Sequence, residues 1–240
     1  MLKNYFTIAY RSLFKNKLAT CINLVGLSAA IGCSIVVFLF IDNQYNRDAF
    51  HKNARTTFLG ESLVERNGQK QLWGFTPMPL GPALAADFPQ IKRAVRLGFG
   101  SGAMRYQDKV FDENILFVEH GFLDMLTFPL KYGDPNALAE KKNIILSDVL
   151  AQKYFGDANP VGKPVTLRFR EDRLESFVVA GVAEKFPPQA SFWFDALVSY
   201  EMYLDLINVE ASDWKQRTAG TFIQTHQPQD IDAVRANLQA

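Results

Sequence analysis

Residues 18–41 form a run between Lys17 and Asp42 that contains no Asp, Glu, Lys or Arg. Residues 22–41 alone would extend roughly 30 Å as an α-helix, the thickness of a bilayer's hydrocarbon core. Twelve of those 20 residues are Leu, Ile, Val or Phe, and at about −0.3 to −0.6 kcal/mol each they favour insertion by about 4 to 7 kcal/mol. Asn23, Ser28 and Ser34 reduce this only in part. A transmembrane helix over 18–41 is therefore predicted. A cleaved signal peptide would have a shorter apolar region ending at a small-x-small site, and the sequence from Phe38 to Asp42 offers none. A helix buried in a soluble core is the remaining alternative.

The chain divides at this segment. Residues 1–41 carry no acid, while residues 42–240 have the composition of an ordinary soluble domain, long enough to pack a core without covalent staples. With 26 basic and 25 acidic residues, the charge balance gives no electrostatic footprint for nucleic acid, and no nucleic-acid partner is expected. Both cysteines, Cys21 and Cys33, fall in or beside the apolar run. Twelve residues apart on one helix, they would be separated by roughly 18 Å, too far for a disulfide. A domain free of cysteine suits an oxidising compartment without requiring one.

Lys3, Arg11, Lys15 and Lys17 precede the span, whereas acids and bases alternate after it at Asp42, Arg47, Asp48, Lys52 and Arg55. The basic excess places the N-terminus in the cytoplasm and residues 42–240 outside it. Within residues 1–17, Leu2, Phe6, Ala9, Tyr10 and Leu13 share one helical face and Lys3, Thr7, Arg11 and Lys15 another, the pattern of an amphipathic elbow lying on the cytoplasmic leaflet. In the span, Gly26 with Ala30 and Ser28 with Gly32 are small residues four apart, which lets a partner helix approach closely in lipid.

Beyond the membrane, Asn67-Gly68 between residues 56–64 and 70–75 is a strong hairpin signal. Pro77, Pro79 and Pro82 introduce a short helix ending near Phe88. Strands are expected over 94–99 and 104–118, with Gly98, Gly100 and Gly102 in or beside the turn between them. These glycines lack a following helix start and any Lys-Ser/Thr, so they form no phosphate cradle. A short helix is expected over 120–126 and a strand over 144–146. Ser147 should cap a helix over 148–155 that Gly156 stops. Strands 165–170 and 177–182 should pair across the charged turn 171–173. A strand at 194–199, a helix from Tyr200, a strand at 221–225 and a helix from Asp230 complete an α+β domain without regular strand-helix alternation.

His51, His120 and His226 each stand without a second His or Cys nearby, Asp230 and Asp232 read as helix N-terminal charges, and no serine has a nucleophile-elbow context. No catalytic, cofactor-binding or metal-binding residue is assigned, no cofactor is expected, and the chain is read as a non-enzyme.

Several stretches together resemble the permease subunits of MacB/FtsX-type ABC transporters in the long form common in Bacteroidetes-like bacteria. These are Ala9-Tyr10-Arg11-Ser12-Leu13 with Lys15-Asn16-Lys17, Ile22-Asn23 and Gly26-Leu27; Asp48-Ala49-Phe50-His51-Lys52-Asn53-Ala54; Leu146-Ser147 through Lys153-Tyr154-Phe155-Gly156 with Asn159-Pro160-Val161-Gly162-Lys163; and Val179-Ala180-Gly181-Val182 with Phe186-Pro187-Pro188 and Phe194-Asp195. Gln189-Ala190-Ser191 departs from the family's usual Asn-Ser-His, and Arg55-Thr56-Thr57-Phe58 from its acidic-basic-aromatic run. The motif residues themselves are expected to shape loops.

The resemblance implies an elbow over 1–17, a span over 18–41 and a MacB-periplasmic-core-like domain over 42–240 in the bacterial inner membrane. It implies a permease dimer with a cytoplasmic ABC ATPase subunit, which holds the ATP site, and a periplasmic adaptor or substrate outside. ATP-driven motion would pass through the membrane by mechanotransmission to export or extract a substrate. Such a permease needs further spans, so the 240 residues are expected to be an N-terminal piece whose outer domain is incomplete at its C-terminal end, with apolar surface patches where the rest would lie. A single-span anchored sensor or binding domain is the alternative from another functional class.

Overall fold

The computed structural model describes residues 5, 8, 10, 11, 15–170 and 173–238, which divide into two compact units at Arg47 and Asp48. Much of the amphipathic elbow expected over residues 1–17, and residues 171–172 of the expected charged turn, lie outside the described residues.

The first unit is dominated by helix α1, Lys17–Tyr45, with 29 residues and mean hydropathy 2.6 in its most apolar window. None of its residues is buried by the protein. At about 1.5 Å per residue it extends roughly 43 Å, longer than the roughly 30 Å hydrocarbon core of a bilayer. Its large apolar side chains, among them Ile22, Leu24, Val25, Leu27 and Ile31, are exposed on all sides, the pattern of a helix suited to a lipid surrounding. Ser34 donates its hydroxyl to the Ala30 carbonyl at 2.8 Å, which satisfies that polar group within the helix itself. The helix continues one turn past Ile41, and the Asn46 amide closes it onto the Asp42 carbonyl.

The second unit is built on a nine-stranded mixed sheet. Its strands are β1 (Thr57–Gly60), β5 (Ile91–Tyr106), β6 (Lys109–Val118), β7 (Leu130–Gly133), β8 (Asn143–Leu146), β9 (Pro164–Arg168), β10 (Leu174–Ala183), β11 (Ala196–Ser199) and β13 (Gly220–Thr225). The order is β1-β13-β5-β6-β11-β8-β10-β7, and β9 pairs with both β10 and β5. The last pairing closes β5, β6, β11, β8, β10 and β9 into a ring, while β13 and β1 extend from the first half of β5. Two pairs, β6 with β11 and β8 with β10, are parallel and the others in this sheet antiparallel. Two small ribbons stand apart, β2 (Ser62–Arg66) with β3 (Gln69–Trp73) and β4 (Thr76–Pro77) with β12 (Arg217–Thr218). The fold is α+β.

Closure of the ring explains the core. Met104, Ile115, Phe117, Ile144, Val165, Leu167, Phe177, Val179 and Val198 form one buried cluster together with Leu150 and Tyr154 of α4 (Asp148–Phe155) and Tyr200 and Met202 of α5 (Tyr200–Ile207). The alternate residues Leu116, Val118, Ile145 and Leu197 point to the opposite face, where α3 (Phe122–Leu126) covers them in a second cluster. Helix α2 (Leu80–Asp87) and helix α6 (Asp230–Leu238) share a third, smaller cluster around Leu84, Ile91, Ile223 and Val234.

Several local expectations hold closely. Asn67 and Gly68 both take left-handed φ, 53° and 74°, as the two-residue turn between β2 and β3 requires. Ser147 caps α4 by accepting from the Leu150 amide, and Gly156 ends it with φ 63°.

Elsewhere the structure corrects the sequence reading. The expected turn at Gly98, Gly100 and Gly102 does not exist, because all three lie inside the 16-residue strand β5, and the chain reverses at Gln107-Asp108, where Gln107 takes φ 54°. The glycines admit neighbours: a Cβ on Gly98 would meet the Tyr203 ring at 2.8 Å, and one on Gly100 the Phe117 ring at 2.7 Å. The expected strand over 56–64 is two strands, β1 in the large sheet and β2 in the ribbon. Strands β4, β7 and β12, of two to four residues, are too short to carry a periodic signal.

Candidate functional site

The Asp48–Ala54 motif is the first segment of the outer domain, and the side chains of Asp48 and Asn53 are spent on the domain itself. Asp48 takes φ 59° and donates its amide to the Gln189 carbonyl. Its carboxylate accepts from the Ser191 amide at 2.8 Å and from the Ser191 hydroxyl. Asn53 donates to the carbonyls of Asp124 and Met125, at 2.9 and 3.2 Å, and so caps the end of α3. Between them, His51 is buried with its ring 3.9 Å from Phe50 and edge-on to Phe128 at 5.1 Å. Burial pushes the His51 pKa below 6.5, opposed in part by Asp48. The motif thus ties the start of the domain to α3 and to the segment after Pro187-Pro188.

The other motifs also act on the backbone. Asn159 accepts from the Val161 amide, Gly162 takes φ 85° and donates its amide to the Val179 carbonyl, and Lys163 lies 5.3 Å from the Phe155 ring centroid. This turn delivers the chain from α4 into β9. The departures at Gln189 and Ser191 fall at the partners of Asp48, so this chain makes that contact with a serine.

Two polar clusters were not legible from spacing. Arg96, within the buried stretch of strand β5, donates through Nε to Glu119 at 2.9 Å and through Nη1 to the Met78 carbonyl at 3.0 Å, and its guanidinium lies 4.7 Å over the Tyr200 ring. Tyr200 donates to Thr218 Oγ1, and Thr218 to the Leu97 carbonyl. A cleft of about 520 Å³ opens beside this cluster between Pro82, Ala94, His120, Leu138 and Glu201. In the second cluster, buried Glu113 accepts from the Tyr154 hydroxyl at 2.9 Å and from Lys153 at 2.6 Å. Burial and that carboxylate raise the Tyr154 pKa above its usual value. The only early sign was a charged residue flanked by core residues, Arg96 between Val95 and Leu97.

A wider groove of about 680 Å³ has an aromatic floor of Phe99, Phe117, Phe169 and Tyr203 and a rim that includes Arg170 and Arg173. Arg173 is engaged by Glu175 at 2.8 Å and by the Asp205 carbonyl. Large apolar side chains are exposed on the outer domain at Leu63 and Leu72, which face each other across the β2–β3 ribbon, and at Phe75, Phe99, Trp193 and Trp214.

Among the described residues no three His, Cys, Asp or Glu side chains converge on a metal-sized site. His51 is buried against Phe50 and Phe128, His120 lines the smaller cleft and His226 is exposed near the start of α6. Asp230 accepts from the Gln227 amide at 2.8 Å as a helix-start acceptor, and Asp232 lies 3.9 Å from Arg235. Ser147 and Ser199 are spent as helix caps. These described side chains serve the packing, turns and helix caps of the domain.

The sequence profile of the MacB-like periplasmic core domain matches residues 20–240. Among solved structures, a domain of a protein described as a permease from Porphyromonas gingivalis aligns with TM-score 0.59 at 21% identity, covering 79% of this chain and 82% of that one. The periplasmic region of MacB from Actinobacillus actinomycetemcomitans aligns with TM-score 0.51 at 16% identity over 71% and 74% of the two chains. The extracellular domain of the noncanonic ABC-type transporter YknZ from Gram-positive bacteria gives TM-score 0.51 at 17% identity over 74% and 87%. At these identities the likeness is one of fold. Among curated proteins none matches the sequence. The profile takes in most of α1 and the whole described outer domain, and the chain belongs to the family of MacB-like periplasmic core domains.

Proposed function

We propose that this chain is the N-terminal portion of a permease subunit of a MacB/FtsX-type ABC transporter. A cytoplasmic ATPase partner hydrolyses ATP, and the permease, as a dimer, carries the resulting motion through the membrane to the outer domain for export or extraction of a substrate. The observation that carries this reading is the profile match over residues 20–240, which joins a helix long and apolar enough to span a bilayer to a domain of the periplasmic-core type. The N-terminus is cytoplasmic, residues 1–17 lie on the inner leaflet, residues 18–41 span and residues 42–240 are periplasmic, in keeping with the bases that precede the span.

Purifying the tagged gene product from its native host in mild detergent tests the proposal. An ABC ATPase subunit bearing phosphate-binding loop motifs should co-purify, and ATP turnover should appear in the eluate. Absence of any such subunit under conditions that preserve other inner-membrane complexes would exclude the transporter reading. The aromatic groove with its arginine rim favours a second reading, a single-span anchored sensor or binding domain. In that case the chain should bind a small anionic or aromatic ligand without an ATPase, and the Arg170→Ala variant should bind it more weakly.

A further inference from the structure

Strand β5 changes partners along one edge and leaves a gap between them. It pairs with β13 as far as Leu97, opposite Gly220, and with β9 from Ala103, opposite Arg168. Among the described residues no strand meets 98–102 on that edge, while the other edge of β5 stays in unbroken register with β6 from Leu97 to Tyr106. At about 3.3 Å per residue the stretch from Leu97 to Ala103 is roughly 20 Å long, room for a strand of about five residues.

The register also fixes which backbone groups face the gap. The Leu97 carbonyl accepts from the Ala219 amide at 3.0 Å, so Leu97 directs its peptide groups toward β13. Backbone groups alternate sides along a strand, and no bulge interrupts β5 against β6. Phe99 and Ser101 therefore each direct an N–H and a C=O into the gap, whereas Gly98, Gly100 and Gly102 turn theirs to β6. Among the described residues none bonds to these outward groups of Phe99 and Ser101. Both residues are exposed, Phe99 by 62%. An open edge of this kind matches one chemistry above others, another backbone in extended conformation.

The gap borders the groove of about 680 Å³, which Phe99, Gly100 and Ser101 line together with Tyr203 and Ile207 of α5. An added strand alternates its side chains between the two faces of the sheet, so every second one can enter this groove, and the aromatic lining suits an apolar side chain. Charge selects further. Of the charged residues that line the groove, Asp205 is paired with Lys141 and Arg173 with Glu175, which leaves Arg170 without an ion partner among the described residues. A carboxylate on the incoming strand complements it.

We propose that the edge of β5 at residues 98–102 is a strand-addition site. Its occupant is an extended, acidic segment of a partner protein, which runs antiparallel to β5 as β13 and β9 do and seats an apolar side chain in the aromatic groove. The site lies wholly within the outer domain, so it holds whether the chain serves a transporter or an anchored sensor.

The test uses the full chain in detergent micelles and a fluorescein-labelled heptapeptide of alternating valine and glutamate, with binding read by fluorescence anisotropy. The peptide should bind, and Ser101→Pro should weaken binding at least tenfold, because proline removes an N–H that faces the gap and none that β6 uses. Lysine in place of the peptide's glutamates should abolish binding. No binding of the glutamate peptide, or equal binding of the lysine form, overturns the proposal. Should Ser101→Pro disturb folding, N-methylation of alternate peptide residues tests the same bonds on the unaltered chain. One of the two alternations should lose binding, and binding unchanged in both would overturn strand pairing. Hydrogen exchange should slow at the Phe99 and Ser101 amides when the peptide is added. Slowing confined to other amides assigns the peptide to a side-chain site and equally overturns the proposal. Self-association of the peptide-free chain that Ser101→Pro abolishes would assign the edge to a second copy and overturn the choice of partner.

Discussion

His51 shows how burial can dominate the behaviour of a polar residue. Its ring is packed between Phe50 and Phe128, and burial lowers its pKa below 6.5. The unfolded chain takes up the proton near 6.5 and the folded chain only at lower pH, so the contribution to stability is complete above 6.5 and is lost as pH falls through the folded value. The His51→Gln variant should therefore lose less thermal stability than the parent between neutral pH and about pH 5, as read by circular dichroism. Equal losses would remove the argument. At the glycines of β5 the prediction concerns space. Gly98→Val and Gly100→Val each push a side chain into the Tyr203 or Phe117 ring, and each should destabilise the domain by about 1 to 3 kcal/mol in urea titrations.

Among the elements, α4 has the best defined supports. Ser147 caps its start, Lys109 donates to the Lys153 and Tyr154 carbonyls at its end, both at 2.8 Å, and Tyr154 reaches Met104 and Glu113. Loss of the cap in Ser147→Ala should cost about 1 kcal/mol. Tyr154→Phe leaves a buried carboxylate oxygen with Lys153 as its remaining side-chain partner and should cost about 1 to 3 kcal/mol. Urea denaturation measures both, and a Tyr154→Phe cost no greater than that of the cap would show that water or Lys153 replaces the lost bond. Helix α4 was legible in advance because its signals, Ser at the cap and Gly after the last turn, are local. The β5–β6 turn was not, because Gln107-Asp108 carries a weak turn signal and the glycines nearby carry a strong one used for packing instead.

For the whole molecule the governing feature is the apolar helix. An arginine at the centre of a span costs roughly 2.5 to 3.5 kcal/mol on the insertion scale, so Ile35→Arg should move the chain from the membrane to the soluble or degraded fraction. Protease protection and carbonate extraction read this directly, and unchanged extraction would mean that the span lies elsewhere. The six-strand ring imposes a different constraint: β5 must pair with β13 along its first half and β9 along its second, with its glycines between the two pairings. That ring joins residues from 91 to 199 into one core.

What the sequence by itself determined is whatever depends on neighbours along the chain: the long apolar helix, the Asn67-Gly68 hairpin, the cap and stop of α4, the α+β class and the motifs that mark the family. These follow from hydropathy, φ preference and backbone donors, which act over a few residues. Only the tertiary structure decided the closure of the ring, the Arg96–Glu119 and Glu113–Tyr154 clusters, the aromatic groove and the attachment of Asp48 to Ser191, 143 residues away. Each depends on which strands lie side by side, and strand order is set by the total burial of side chains from distant segments, a quantity no local pattern encodes.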